Sequence, residues 1–85
     1  MSDIMRTALK GGGSIDILID AQPDGDFELW VKESWERLTA VENITISAEQ
    51  LAEAEDPDGV IREELTRMVR KAHMNWKAHE MVKAL

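Results

Sequence analysis

The chain has 85 residues, which leaves room for one domain around one modest core, because so short a chain hides only somewhat over half of its unfolded surface. Apolar residues make up 44% and charged residues 32%, a balance that folds, and the absence of cysteine excludes disulfides, thiolate metal sites and cysteine nucleophiles. The net charge of −7 argues against direct binding to nucleic acid, whose phosphates must be neutralised, and favours a basic protein partner.

In chain order, Ser2 reads as the cap of a short helix carrying Ile4, Met5, Ala8 and Leu9. Gly11, Gly12 and Gly13 should stop it and act as a flexible hinge, native or introduced as a linker. The first residues, Met-Ser-Asp-Ile-Met-Arg, lack the apolar core of a secretory signal, and no later run approaches the roughly 18 apolar residues of a membrane span. A cytoplasmic location without membrane contact is therefore expected.

In "SIDILID", Ile15, Ile17 and Ile19 alternate with Asp16, Leu18 and Asp20, the period of a half-buried strand. The connector "AQPDGD" is rich in turn residues, and "FELWVK" then puts Phe27, Leu29 and Val31 on one face. An antiparallel hairpin follows, with Leu18 and Trp30 on the opposite, otherwise charged face. In "SWERLTAVENITI", residues 34–46, a helix would bring Trp35 and Leu38 together. The β-branched Thr39, Val41, Ile44, Thr45 and Ile46 favour a strand, broken at Glu42 and Asn43, and the choice stays open over residues 34–41.

Ser47 with Gln50 three residues later has capping-box spacing, so a short acidic helix is expected at about 48–55. Asp56 before Pro57, with Glu63 and Glu64 early and Lys77 and Lys83 late, marks a second helix whose charges match its dipole. Running over 57–85 it would be on the order of 43 Å long. Its apolar stripe is Ile61, Leu65, Met68, Val69, Ala72, Trp76 and Leu85, with Val82 alongside. That stripe is longer than so small a body can cover. The expected architecture is α+β in one domain, 1–85: a short N-terminal helix and Gly-rich hinge over 1–13, a small antiparallel sheet of two or three strands over 14–46, and a helical part over 47–85.

Sites of chemistry are sparse. His73 and His79 sit six apart, about 120° around a helix, whereas a shared metal wants a spacing of four; both read as boundary residues on a wet face. Gly11 to Ser14 lacks the strand-to-helix context of a phosphate-binding loop. The acids of "DAQPDGDFELWV" lack the register of a calcium loop, and no nucleophile elbow surrounds any serine. Neither metal, cofactor nor enzymatic activity is expected.

Charge is uneven. Residues 1–56 carry 13 Asp or Glu against 4 Lys or Arg, a balance of −9; residues 57–85 carry 4 against 6, a balance of +2. The expectation is a small acidic protein-binding inhibitor or regulator that occupies a basic, nucleic-acid-binding type of surface on its partner, as a phage or mobile-element anti-defence protein would. Asp16, Asp20, Asp24, Asp26 and Glu28 are the expected acidic face. Trp30, Trp76, Val82 and Leu85 are the expected apolar anchors, because tryptophan is over-represented among interface hot spots. The alternative is a structural or assembly subunit that forms a homodimer through the C-terminal helix.

Overall fold

A computed structural model describes the backbone of residues 2–84 and the side chains of residues 4–82; Leu85 lies outside the described residues. Four strands, β1 (Ser2–Ala8), β2 (Ser14–Ala21), β3 (Phe27–Trp35) and β4 (Leu38–Ile46), form an antiparallel sheet in sequential order. Helices α1 (Ala48–Glu53) and α2 (Pro57–Ala84) follow. The class is α+β, and the sheet has four strands where two or three were expected.

The first correction concerns residues 2–13. The expected N-terminal helix is strand β1, paired with β2 from Ser2 opposite Asp20 to Ala8 opposite Ser14. Its sequence shows no alternation because both of its faces are exposed, so pairing with β2 rather than local preference decides its conformation. The expected hinge is a tight reversal in which Leu9 N–H donates to the Gly13 carbonyl at 2.8 Å. Gly11 and Gly12 take φ of 100° and 101°, which glycine alone adopts without strain. Gly13 is required for another reason: a Cβ there would lie 2.5 Å from the Trp35 ring.

The second correction is the expected break at Glu42 and Asn43. β4 runs through both without interruption, Glu42 opposite Val31 and Asn43 opposite Trp30. Residues 34–41 are likewise extended apart from the Glu36–Arg37 turn that joins β3 to β4.

The β2–β3 connection takes the expected form. Gly25 N–H donates to the Gln22 carbonyl at 3.0 Å, and Gly25 itself sits at φ 93°. This is a short turn closed by a left-handed glycine, a geometry matched to the twist of antiparallel strands. Ser47 caps α1 by accepting from Gln50 N–H at 3.1 Å, and the Asp56 carboxylate accepts from Gly59 N–H at 3.1 Å at the start of α2.

Leu29, Val31, Ala40 and Ile46 on one sheet face meet Met68 and Ala72 of α2 to form the buried core. Ile61, Leu65, Val69 and Trp76 pack around them, so the stripe read from the sequence is the docking face as far as Trp76. Helix α2 lies over β3 and β4, leaving β1 outside its cover. Residues 77–82 are all exposed: the helix continues past the sheet it packs on, in a molecule 47 Å long and 21 Å across.

Candidate protein-binding surface

Period-two alternation divides every strand between two faces. The face away from α2 carries, row by row across the sheet, Ile4–Leu18–Trp30–Asn43 and Arg6–Asp16–Lys32–Val41. No helix covers it. Ile4 is 71% exposed, Val41 50% and Trp30 37%, and with Leu18, Thr39 and the stems of Arg6 and Lys32 they line a broad, shallow apolar groove. An indole in the middle of such a face, with charged neighbours at its border, has the anatomy of an interface centre and its rim.

The border is charged on both sides, with different signs. On one side Arg6 makes a two-pronged contact with Asp16, Nε to Oδ1 at 2.7 Å and Nη2 to Oδ2 at 3.0 Å. That hydrogen bond holds the Asp16 carboxyl below its ordinary range, against a smaller opposing effect of desolvation, with charge attraction from Arg6 and Lys32 adding to it. The same bond and charge raise the Arg6 guanidinium in turn. On the other side Asp20 and Glu28 stand opposite one another across β2 and β3. Gln22 Nε2 donates to Asp20 at 2.9 Å, and Asn43 Nδ2 donates to Glu28 at 3.3 Å, so neutral amides align the two carboxylates without cancelling their charge.

Asp24 and Asp26 lie beyond this edge, in the β2–β3 turn. Asp24 accepts from Asp26 N–H at 3.0 Å, and Asp26 accepts from Ala48 N–H at 2.7 Å, tying the turn to the first residue of α1. Two otherwise separate segments therefore meet at one end of the molecule. Residues 20–28 contribute Asp20, Asp24, Asp26 and Glu28, and residues 47–58 contribute Glu49, Glu53, Glu55, Asp56 and Asp58; neither segment contains a Lys, Arg or His. The five acids singled out from the sequence thus divide: four belong to this acidic end, and Asp16 is tied up with Arg6.

The apolar anchors also divide. Trp30 is on the open face. Trp76 points inward and stacks on Trp35 at 4.5 Å between ring centroids, with its Nε1 buried and, among the described residues, without a hydrogen-bond partner. Val82 is exposed together with Met74 and Met81 on the far end of α2.

Sequence reasoning missed a buried polar cluster beneath the Trp35–Trp76 stack. Glu33 is fully buried. Its carboxylate accepts from Trp35 Nε1–H at 2.8 Å, and His73 Nδ1 lies 3.0 Å from both of its oxygens. These contacts hold the His73 ring in one orientation, and an ionised carboxylate, which only accepts, is satisfied there by the Nδ1–H tautomer. His73 is half-buried, a boundary residue as expected but with a buried partner that was not, whereas His79 is exposed. The signal was present in the alternation: counting on by two from Phe27, Leu29 and Val31 puts Glu33 on the inward face. Glu42, also on that face, receives Asn75 Nδ2 at 3.1 Å and Lys71 Nζ at 3.8 Å from α2.

Among the described residues no three His, Asp or Glu side chains converge as a metal site, and no helix is long and apolar enough to cross a membrane. The chain matches no protein-family model, no curated protein and no solved structure.

Proposed function

We propose that this chain is a small protein-binding module that seats the open face of its sheet on a basic partner surface and acts as an inhibitor or regulator by occupying it. The observation that carries this reading is the placement of Trp30, in the exposed row with Ile4 and Leu18, directly beside the Asp20–Glu28 pair and the acidic end to which that pair belongs. An apolar centre supplies affinity through burial, and a one-signed end steers a basic partner into register and speeds encounter. The other border, Arg6–Asp16–Lys32, sets one acid among two bases, so mimicry of a nucleic acid would be confined to the acidic end.

The test is affinity capture from the source cell with three baits in parallel: wild type, Trp30→Ala, and Asp20→Lys with Glu28→Lys. A protein held by wild type, lost from both variants, and released as salt rises from about 0.1 M to about 1 M supports the proposal, because exposed charges are screened over that range. Equal retention by all three baits, or capture that only Met74, Met81 and Val82 variants abolish, overturns it.

A further inference from the structure

Strand β1 is bare on three sides. It is an outer strand of the sheet, α2 does not reach over it, and its apolar residues on opposite faces, Ile4 and Met5, are 71% and 56% exposed. Protein sheets usually blunt such an edge with a proline, a bulge, an unpaired charge or a covering element. β1 has no proline, its seven residues pair with β2 in unbroken register, and of its two charged residues Asp3 stands next to the strand's first residue while Arg6 is neutralised by Asp16, so Ile4 to Ala8 carry no unpaired charge. The other edge differs, because α2 lies along β4 and sends Lys71 and Asn75 down to Glu42.

We infer that β1 is a self-association edge, at which two copies of the chain join antiparallel about a two-fold axis through Met5, continuing the sheet from one copy into the next. The choice of a second copy rests on self-match. A two-fold axis perpendicular to the sheet keeps like faces together, so even-numbered residues must oppose even-numbered ones. With the axis on Met5, Ser2 opposes Ala8, Ile4 opposes Arg6 and Met5 opposes itself, and all seven residues pair. The row Met5–Ile17 then runs on into the partner's Met5 and Ile17, and the stem of each Arg6 lies beside the other copy's Ile4. Shifting the axis to Arg6 would set two guanidinium groups against each other, which is unfavourable. Shifting it to Ile4 pairs only Ser2 to Arg6 of the seven residues with one another.

A ladder of seven residues spans only about 24 Å. Such an interface is at the small end of specific contacts, so dissociation in the range of roughly 10–100 µM is expected. The inference stands apart from the docking reading, since it leaves Trp30 and the acidic end uncovered.

Sedimentation from about 5 µM to about 1 mM tests it, together with single cysteines placed in a chain that has none. Expected are a monomer–dimer equilibrium, a disulfide-linked dimer from Met5→Cys, and none from Thr7→Cys alone. Met5→Lys, which sets two like charges on the axis, should weaken the dimer at least tenfold with an unchanged circular dichroism spectrum, and mixing it with Met5→Glu should restore a mixed dimer. A monomer throughout the range, or a dimer that Met5→Lys leaves intact and Ala78→Cys cross-links instead, overturns the inference.

Discussion

Removing the His73 ring strands a charge. Glu33 has no access to water, and its partners are Trp35 Nε1–H and His73 Nδ1, so His73→Ala leaves a buried carboxylate with one neutral donor. Breaking a buried pair by deleting one member costs about 3–5 kcal/mol when the site stays closed. Here the His73 side chain is 43% exposed, so water can enter where the ring was, and about 2–3 kcal/mol is the better figure. At about 2.1 cal/mol/K per residue, the unfolding entropy of this chain makes 1 kcal/mol equal to roughly 5–6 °C, so Tm should fall by roughly 10–17 °C. His79→Ala, on the exposed face, should change stability by less than about 0.5 kcal/mol. A second background separates charge from packing: in Glu33→Gln no charge is stranded, and His73→Ala should then cost only about 1 kcal/mol. Denaturant melts of wild type, His73→Ala, His79→Ala, Glu33→Gln and the variant combining Glu33→Gln with His73→Ala decide the matter. If His73→Ala and His79→Ala melt alike, or if His73→Ala costs the same in both Glu33 backgrounds, the buried-carboxylate argument is wrong.

Gly13→Ala should destabilise by about 1–3 kcal/mol and alter the near-ultraviolet signal of the Trp35–Trp76 stack, because the new Cβ would overlap the Trp35 ring. Ser14→Ala, one position on and half-buried, serves as the control and should leave that signal in place. The Asp16 carboxyl is held down by Arg6, so its contribution is present above the pKa of the unfolded chain and is lost as pH falls through the lower folded value. Urea melts between about pH 5 and pH 2 should therefore show a shallower loss of stability for Asp16→Asn than for wild type; parallel curves would count against the pair. Trp30→Ala should lower stability by less than Leu29→Ala, its fully buried neighbour, for which about 2–5 kcal/mol is expected. An equal loss in thermal melts would show that Trp30 is a core residue and not an open-face anchor.

What could be read in the sequence tracks what is decided locally. The Ser47 and Asp56 caps, the Pro57 start, the "PDG" reversal and the stripe from Ile61 to Trp76 each depend on chemistry within a few residues, and each is found where the pattern put it. β1 was not legible because its conformation is dictated by pairing with β2, across the glycine reversal, while its own residues lack alternation. The Glu36–Arg37 turn was not legible because it carries none of Gly, Asn, Asp or Pro, so β3 and β4 read as one ambiguous stretch.

The candidate surface follows the same division. Trp30's place on the open face came from its strand and Trp76's inward turn from the stripe of α2, both of which the sequence shows; that Trp76 stacks on Trp35 of another element it does not show. The acidic end is the informative case. Nine carboxylates in two segments separated by nearly twenty residues come to one end because the β3–β4 ladder sets Ile46 beside Phe27 and Asp26 bonds the first backbone N–H of α1. A count of charge along the chain gives the sign of a partner's surface; where that sign is presented depends on contacts between segments. If the turn were freed from α1 by Asp26→Ala, the charge would be nearly unchanged while its arrangement was loosened to what the Phe27–Ile46 pairing alone holds. Binding that survived that single change would therefore belong to net charge alone, and binding that fell with it would belong to the shape this fold imposes.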